Sequence, residues 1–277
     1  HRSLTSITPD ARSVQFDFPC VDVLKIQKEI GSGVVFLPCA NNDSIFELEK
    51  IINDGEQLCG IYCELPSNPL LRSADLASIK RIISPTKTPI VVDDTVATNV
   101  NVDVFKYADV VTTSLTKYYS GVGDVIAGAV IVNGASQLRN KIVSQLKAQN
   151  DSSLYHEDAV VLSKNITDYR DRVLRVNKTT PLIVDLLEDH PLVNKVWYPK
   201  YETRSNYDVV KRDDGGFSGL FSIELKRPEQ TTAKFYDLLQ LCKGPSLGAN
   251  FTLVCPYTLL AHYDELEWCE DNGVSRW

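Results

Sequence analysis

The sequence predicts an α/β fold, with a mostly parallel sheet covered by helices on both faces and a smaller α+β domain after it. Two observations predict this. In the first half, short β-branched apolar runs alternate with amphipathic stretches, which is typical of a buried parallel sheet. After His156, apolar residues recur at three- and four-residue steps, which indicates a long helix. We therefore expect a large domain over residues 1–157 and a small domain over 158–277.

The elements of the first half follow from these patterns. The predicted strands are Val34–Leu37, Leu58–Glu64, 89–93, 109–113 and 127–132. The predicted helices are Val21–Ile30, 44–53 and 74–83. Asp43 or Ser44 is suited to cap the second of these helices, because both residue types accept a hydrogen bond from the first helical turn.

The second half predicts fewer and more separated elements. A helix is expected over 158–188, and Pro181 should kink or split it because proline lacks the amide N–H that an inner turn needs. An isolated strand over 195–198, a charged and glycine-containing loop over 202–216, a strand over 219–225 and a helix over 230–241 complete the chain.

Composition and charge exclude several classes of protein. The net charge is −7, which offers no electrostatic footprint for nucleic acid or an anionic membrane. The longest apolar run, 125–132, is far shorter than the ~20 residues of a membrane helix. No basic segment followed by an apolar core opens the chain, so the sequence predicts a soluble, cytoplasmic protein without a secretory signal.

Seven scattered cysteines do not form the pattern of a disulfide framework. Cys59 and Cys63 have the spacing of a metal-binding pair, but both lie on a predicted strand. Four residues along a strand span ~13 Å, too far for a disulfide or a shared zinc ion. We expect both to be buried structural thiols.

Polar side chains follow three of the predicted strands. They are Glu64 and Asn68 after one strand, Asp93 and Asp94 after another, and Ser114, Thr116 and Lys117 after a third. Ligands of open parallel sheets bind beyond the carboxyl ends of the strands. Hydroxyls for a phosphate, a carboxylate for a ring N–H and a lysine for an aldehyde are the groups that pyridoxal phosphate requires.

The motifs around these residues resemble the cysteine/methionine-metabolism family of fold-type-I pyridoxal phosphate enzymes, and most of all its fungal cystathionine γ-synthase branch. The first-half motifs are Glu-Leu-Pro-Ser-Asn-Pro (64–69), Val-Val-Asp-Asp-Thr (91–95) and Ser-Leu-Thr-Lys-Tyr-Tyr-Ser-Gly (114–121). In the second half, 196–199, 215–223, 243–253 and 256–263 agree in the same order. The resemblance covers nearly the whole chain.

The resemblance implies a role for six residues. Lys117 is the implied Schiff-base lysine and general acid/base, and Asp93 the implied partner of the pyridinium nitrogen. Ser114 and Thr116 would hold the phosphate. Asn68 would lie near the ring hydroxyl and the substrate carboxylate, and Ser246 near that carboxylate too. No metal is implied.

The chain also departs from the family pattern. Val122-Gly123 stands where His-Ser is common, and Asp94 replaces an asparagine, which would add a negative charge beside the ring. The family places a Tyr/Arg phosphate clamp from a neighbouring subunit, a glycine loop and a ring-stacking tyrosine upstream of residue 1. It places a carboxylate-binding arginine beyond Trp277. We therefore expect this chain to lack parts of the active site.

The implied reaction is γ-replacement on an O-activated homoserine, with cysteine as nucleophile, giving cystathionine. The sequence leaves open a sulfhydrylase, a lyase or a specialised γ-synthase of secondary metabolism. It also leaves open an inactive, truncated paralogue that acts as a binding partner. The resemblance implies small-molecule amino-acid substrates and a homodimer or homotetramer.

Three weaker interpretations compete at particular residues. A metal pair at Asp93 and Asp94 lacks a third ligand at useful spacing. The glycines between Gly121 and Gly128 do not have the G-x-G-x-x-G spacing of a dinucleotide loop. The acidic residues that follow His156 favour a helix N-terminus, and His262 and Tyr263 are expected to be packing residues.

Overall fold

The computed structural model describes residues 1–149 and 154–277. A six-stranded sheet fills the first half, in the order β2-β1-β3-β4-β5-β6. Its strands are β1 (Arg12–Phe16), β2 (Val34–Leu37), β3 (Leu58–Glu64), β4 (Ile90–Asp93), β5 (Val110–Ser114) and β6 (Gly128–Val132). The first five run parallel and β6 is antiparallel to β5. The predicted mostly parallel sheet is confirmed.

Five helices accompany these strands. The helices α2 (Val21–Ile30), α3 (Asn42–Asn53) and α4 (Leu76–Ile82) connect successive strands, while α1 (Arg2–Thr5) precedes β1 and α5 (Arg139–Ala148) follows β6. Asn41 caps α3, and its side chain accepts a hydrogen bond from the Ser44 amide. The cap therefore lies two or three residues earlier than the sequence predicted, and α3 begins at Asn42 instead of residue 44.

The strand β1 was not predicted from the sequence, although it lies inside the sheet between β2 and β3. Its inward residues include Ser13 and Gln15, which are fully buried but polar. The Gln15 side chain donates to the Phe16 carbonyl and accepts from the Gln27 amide group, and these bonds allow it to be buried. Because buried positions of β1 are polar, the segment does not have the apolar run that predicts a buried strand. The strand was therefore missed because its buried polar residues form hydrogen bonds inside the protein.

The second half contains α6 (His156–Asn165), α7 (Tyr169–Glu188), α8 (Arg204–Asp208), α9 (Pro228–Leu238), α10 (Tyr257–Ala261) and α11 (Leu266–Asp271). The strands are β7 (Val193–Trp197) and β8 (Ser222–Leu225), and β9 (Cys242–Lys243) and β10 (Leu253–Val254). β7 pairs antiparallel with β8, so the prediction of an isolated strand over 195–198 is wrong. The division into domains at residue 157 stays a prediction.

The helix predicted over 158–188 is interrupted at a different place. A 3₁₀ turn at Ile166–Asp168 separates α6 from α7, whereas α7 continues through Pro181. The helix was predicted to kink or split at Pro181; it is not split there, and a kink at this residue stays a prediction. Val173 and Val184 on either side of the proline are fully buried, and their packing compensates for the one backbone hydrogen bond that proline removes.

The main core packs β1, β3 and β4 against α3 and α4, and it includes Phe16, Leu48, Ile61, Ile79 and Val92. Both strand thiols, Cys59 and Cys63, are buried and free, as predicted. No helix within the described residues is both long and apolar enough to cross a membrane.

Candidate active site

The carboxyl ends of β3, β4 and β5 lie side by side, as the sequence predicted. In the parallel register Glu64 stands opposite Asp93, and Asp93 stands opposite Thr112. Paired residues of parallel strands face the same side of a sheet. Glu64, Asp93 and Thr112 therefore share one face of the sheet at its carboxyl edge.

Asp93 is anchored by two hydrogen bonds. The Thr95 amide donates to Asp93 Oδ1 at 2.8 Å, and the Thr112 hydroxyl donates to Asp93 Oδ2 at 3.2 Å. Burial raises the pKa of Asp93, while the bonds from Thr95 and Thr112 oppose the rise. A cationic partner at this face would favour the charged carboxylate further.

Lys117 lies in a single π-helical turn, Leu115–Tyr119, directly after β5. Its backbone departs from helical geometry, with φ −81° and ψ −121°. Its Nζ donates to Ser246 Oγ at 3.1 Å, which joins the turn to a loop 129 residues further along the chain. Burial lowers the pKa of Lys117, so its amine is easier to deprotonate than an exposed lysine.

The loop that carries Ser246 is fixed against the Lys117 turn by its backbone. The Asn250 amide donates to the Gly121 carbonyl at 2.6 Å. Gly248 has φ +72°, and a Cβ at this position would lie 2.6 Å from the Tyr118 amide nitrogen. Glycine is therefore required here both for the left-handed backbone and for the close approach.

The two hydroxyl residues predicted to hold a phosphate have different surroundings. The Ser114 amide donates to Thr95 Oγ1 at 2.8 Å, which ties the end of β5 to the loop after β4. The Thr116 hydroxyl donates to the Ala127 carbonyl at 3.3 Å and accepts from the Ala127 amide at 3.0 Å. Thr116 thus closes the loop between the Lys117 turn and β6.

Asn68 lies in the loop after β3, half-buried, between two cis peptide bonds at Leu65-Pro66 and Asn68-Pro69. The structure brings Asp93, Ser114, Lys117 and Asn68 to one edge of the sheet, and Ser246 reaches it from the second half. Their roles toward a ligand remain predictions.

Sequence reasoning assigned no role to Glu64 and missed Cys20. The Cys20 amide donates to Glu64 Oε1 at 2.6 Å, which fixes the loop after β1 at the same edge. Burial raises the pKa of Glu64 to about 8, and the charge of Asp93 adds to the rise. If β1 had been predicted, Cys20 would have been expected at this edge, because it lies in the loop that follows the carboxyl end of β1.

These groups fit pyridoxal phosphate. A buried carboxylate held on both oxygens suits a protonated ring nitrogen, and a partly buried lysine suits an aldehyde. The half-buried Ser114 side chain lies at the end of β5, where a phosphate group would need donors.

The competing interpretations gain no support from the site. No group of three or more His, Cys, Asp or Glu side chains suited to a metal lies within residues 1–149 and 154–277. His156 heads α6, and Glu157 and Asp158 lie in its first turn, as predicted. His262 is buried and packs against Phe18 and Trp268, as predicted, whereas Tyr263 is exposed and the prediction that it packs is wrong.

The fold and the strand-end site define a fold-type-I enzyme scaffold that uses pyridoxal phosphate. The chain belongs to the Cys/Met metabolism PLP-dependent enzyme family, whose model matches residues 24–266.

Two relatives of this chain are named as cystathionine gamma-synthases. A cystathionine gamma-synthase of Neurospora crassa is 42% identical over 283 residues, across 100% of this chain and 45% of the relative. A cystathionine gamma-synthase of Saccharomyces cerevisiae is 39% identical, across 96% of this chain and 43% of the relative. The chain thus spans less than half the length of these curated relatives.

Solved structures share the fold at lower identity. Cystathionine gamma synthase of Xanthomonas oryzae pv. oryzae, in complex with aminoacrylate and cysteine, superposes with a TM-score of 0.83 at 23% identity, across 99% of this chain and 71% of that one. A putative O-acetylhomoserine (thiol)-lyase of Campylobacter jejuni gives a TM-score of 0.85 at 20% identity, across 99% and 74%. The latter carries a pyridoxyl-lysine phosphate.

Proposed function

We propose that this chain carries the lysine-bearing part of an enzyme that exchanges the γ-substituent of an O-activated homoserine for cysteine, giving cystathionine. The observation that carries the proposal is the meeting of Lys117 and Ser246 beside the Asp93 edge of the sheet. The names of the Neurospora and Saccharomyces relatives support the choice of product.

In this proposal each residue has the role that the family resemblance implies for it. Asp93, held by Thr95 and Thr112, binds the ring nitrogen through its carboxylate. Ser114 and Thr116 would hold the phosphate. Asn68 and Ser246 orient the substrate carboxylate. When bound, pyridoxal phosphate supplies an electron sink for the carbanion that forms at the substrate Cα.

In this proposal Lys117 transfers the protons. Its lowered pKa increases the neutral fraction of the amine, so Nζ can accept a proton at Cα and donate it elsewhere on the substrate. The hydrogen bond from Lys117 Nζ to Ser246 Oγ limits the positions that the free amine can reach. A γ-substituent can then leave and a nucleophile enter while the amine stays near the substrate.

A second candidate uses the same residues for a different outcome. A relative from Streptantibioticus cattleyicolor named as a dechlorinase/desaturase is 41% identical over 222 residues, across 79% of this chain. Elimination without cysteine, or entry of sulfide or another nucleophile, is therefore the alternative. Product analysis with cysteine and with sulfide distinguishes these reactions.

We also propose that the enzyme acts as a homodimer or homotetramer in the cytoplasm, divided into domains near residue 157. The seven unpaired cysteine thiols fit a reducing compartment. Light scattering of the purified protein measures the oligomeric state, limited proteolysis measures the domain division, and cell fractionation identifies the compartment. A monomeric, active protein would contradict the oligomer.

The test uses the full-length natural polypeptide that contains this chain. The protein is loaded with pyridoxal phosphate, reduced with borohydride and digested, and the modified peptide is identified by mass spectrometry. We expect the pyridoxyl group on Lys117. The variant K117A is expected to show no modification in this peptide, while K106A, on an exposed lysine of the same domain, retains it.

Activity is then measured with acetyl, succinyl and phospho esters of homoserine plus cysteine. Cystathionine formation with any ester supports the proposal. Turnover with sulfide but none with cysteine would favour the second candidate. No pyridoxyl group on Lys117 in the full-length protein would instead favour the inactive paralogue.

A further inference from the structure

The backbone that follows Lys117 is bound by one arginine of α7. Arg172 donates from Nη1 to the Tyr118 carbonyl at 2.7 Å and from Nη2 to the Tyr119 carbonyl at 2.9 Å. These two tyrosines are the residues directly after Lys117. The last carbonyls of a helical segment lack partners within that segment, so the arginine supplies hydrogen bonds that this short turn cannot form by itself.

The same guanidinium is fixed by the junction between α6 and α7. Arg172 Nη2 also donates to the Asn165 carbonyl at 3.0 Å, and Nε donates to Asp168 Oδ1 at 2.7 Å. Only 13% of the Arg172 side chain is exposed. A planar guanidinium presents its donors in a rigid fork, so contacts made together on several sides determine its position.

Gly121 shows how closely the arginine approaches the turn. Its φ is +73°, and a Cβ at this position would overlap the Arg172 guanidinium. The Gly121 amide donates to the Lys117 carbonyl at 2.7 Å. Glycine is required here both for the left-handed backbone and for the approach of the guanidinium. Arg172 therefore contacts the turn at Gly121 as well as at the two carbonyls.

We propose that Arg172 is a positioning residue for Lys117: its guanidinium fork holds the backbone directly after the lysine and thereby keeps Nζ beside Ser246 at the Asp93 edge of the sheet. Arg172 acts through the backbone of Tyr118 and Tyr119. The position of the amine is a property of the folded chain, and only the consequence for pyridoxal phosphate rests on the proposed function.

Loss of the guanidinium would be transmitted to the lysine over one peptide unit. The carbonyls of Tyr118 and Tyr119 would lose their donors, and a partly buried acceptor without a partner is costly. The turn can relieve this cost by moving toward water, and Lys117 then moves with it. Burial lowers the pKa of Lys117, while Cys20 opposes the effect, so exposure of the amine is measurable as a rise in its pKa.

The first experiment needs no cofactor. The full-length protein is freed of pyridoxal phosphate, and trace acetylation of Lys117 by acetic anhydride is measured by mass spectrometry as the pH is raised. The dependence of the rate on pH gives the pKa of the amine. We expect R172M, which keeps an apolar side chain but has no donors, to raise the pKa of Lys117 toward that of an exposed lysine.

The matched control is R212M. Arg212 Nε also donates to two backbone carbonyls, those of Asn99 at 2.9 Å and Val102 at 3.2 Å, in the loop after β4. We expect R212M to lower the melting temperature without changing the titration of Lys117. A wild-type titration of Lys117 in R172M, or an equal change in R172M and R212M, would overturn the proposal.

A second variant, R172K, retains the positive charge and decides the question if R172M does not fold. An ammonium donates from a single point, so it cannot reproduce the fork that joins two carbonyls to Asp168. We expect the pKa of Lys117 to rise in R172K as well. A wild-type titration in R172K would show that a positive charge is sufficient and would overturn the role of the fork.

Trapping of pyridoxal phosphate on Lys117 extends the test to the proposed function. At a temperature at which circular dichroism shows every variant folded, we expect trapping in R172M to be about 10- to 100-fold slower than in the wild type, because a misplaced reacting group is costly. R212M should react as the wild type does. Equal trapping in R172M would overturn the role, whereas absent trapping in the wild type would contradict the proposed function and leave the acetylation result decisive for Arg172.

Discussion

At the scale of single residues, the site depends on three carboxyl groups that lie close together and differ in environment. Asp93 has hydrogen bonds on both oxygens, Glu64 accepts from the Cys20 amide, and Asp94 Oδ1 has no described partner. Hydrogen bonds to a carboxylate favour its charged form, and burial disfavours it. Asp93 is therefore the best placed of the three to carry a charge.

We predict that D93N lowers kcat/KM by about 10- to 150-fold in the full-length enzyme, because a charge-assisted hydrogen bond contributes ~1.5–3 kcal/mol. The amide keeps the shape of the side chain but cannot stabilise a cationic ring nitrogen. Steady-state kinetics and the visible spectrum measure the effect. D213N, which removes an exposed charge, is the matched control and should change neither. Wild-type kinetics in D93N would contradict the assignment of Asp93.

At the scale of structural elements, the site is formed where the Lys117 turn meets the loop between β9 and β10. Three contacts join them: Lys117 Nζ with Ser246, the Asn250 amide with Gly121, and the backbone approach of Gly248 to Tyr118. None of these contacts is local in sequence. The loop therefore holds Ser246 in place only while Gly248 can approach the turn.

We predict that G248A separates this loop from the turn. The left-handed backbone alone costs a non-glycine residue ~1–2 kcal/mol, and the new Cβ would lie 2.6 Å from the Tyr118 nitrogen. Trapping of pyridoxal phosphate on Lys117 should fall together with the melting temperature.

The control for this prediction is G244A in the same loop. There a Cβ would meet only Leu253 Cδ2, at an ordinary 3.8 Å, so the substitution tests loop flexibility without the close approach. Equal losses in G244A and G248A would show that the approach of Gly248 is unimportant.

The elements themselves were largely predictable. β2 and β3 begin and end where the apolar runs do, and α2 matches its predicted range. β1 was not predictable, because Ser13 and Gln15 are polar residues that are buried by hydrogen bonds to Gly33 and Gln27 of other segments. Pro181 does not split α7 for a related reason. The packing of α7 against the core offsets the local cost of the backbone hydrogen bond that proline removes.

At the scale of the whole molecule, a buried ion pair connects three separate segments at the carboxyl edge of the sheet. Arg72 Nη2 lies 2.6 Å from Oδ1 of Asp17, the residue directly after β1. The same Nη2 also donates to the carbonyl of Pro38, the residue directly after β2. Ser67, in the loop after β3, donates to the same aspartate. This pair holds together the three loops that border the site from one side.

We predict that R72A lowers the free energy of unfolding by about 3–5 kcal/mol, because it leaves Asp17 buried at 1% exposure without its cation. Urea unfolding followed by circular dichroism measures the change. R170A, whose partner Asp214 lies in an exposed pair with 59% and 64% accessible side chains, should cost at most ~1 kcal/mol. Similar losses in both variants would contradict the structural role of the Asp17–Arg72 pair.

The sequence by itself determined the class of fold and the set of strand-end residues. Apolar runs and their turns define which residues lie at the ends of strands, and parallel strands place those ends at one edge. Asp93, Ser114 and Lys117 were found in this way, and the family resemblance added Ser246.

Only the tertiary structure decided how these groups interact. The bond between Lys117 and Ser246, the close approach of Gly248, the position of Cys20 beside Glu64 and the burial of Asp94 all join segments far apart in sequence. Their strengths depend on burial and distance, which set the pKa of each carboxyl and amine. A one-dimensional pattern contains neither quantity, so the electrostatics of the site required the folded chain.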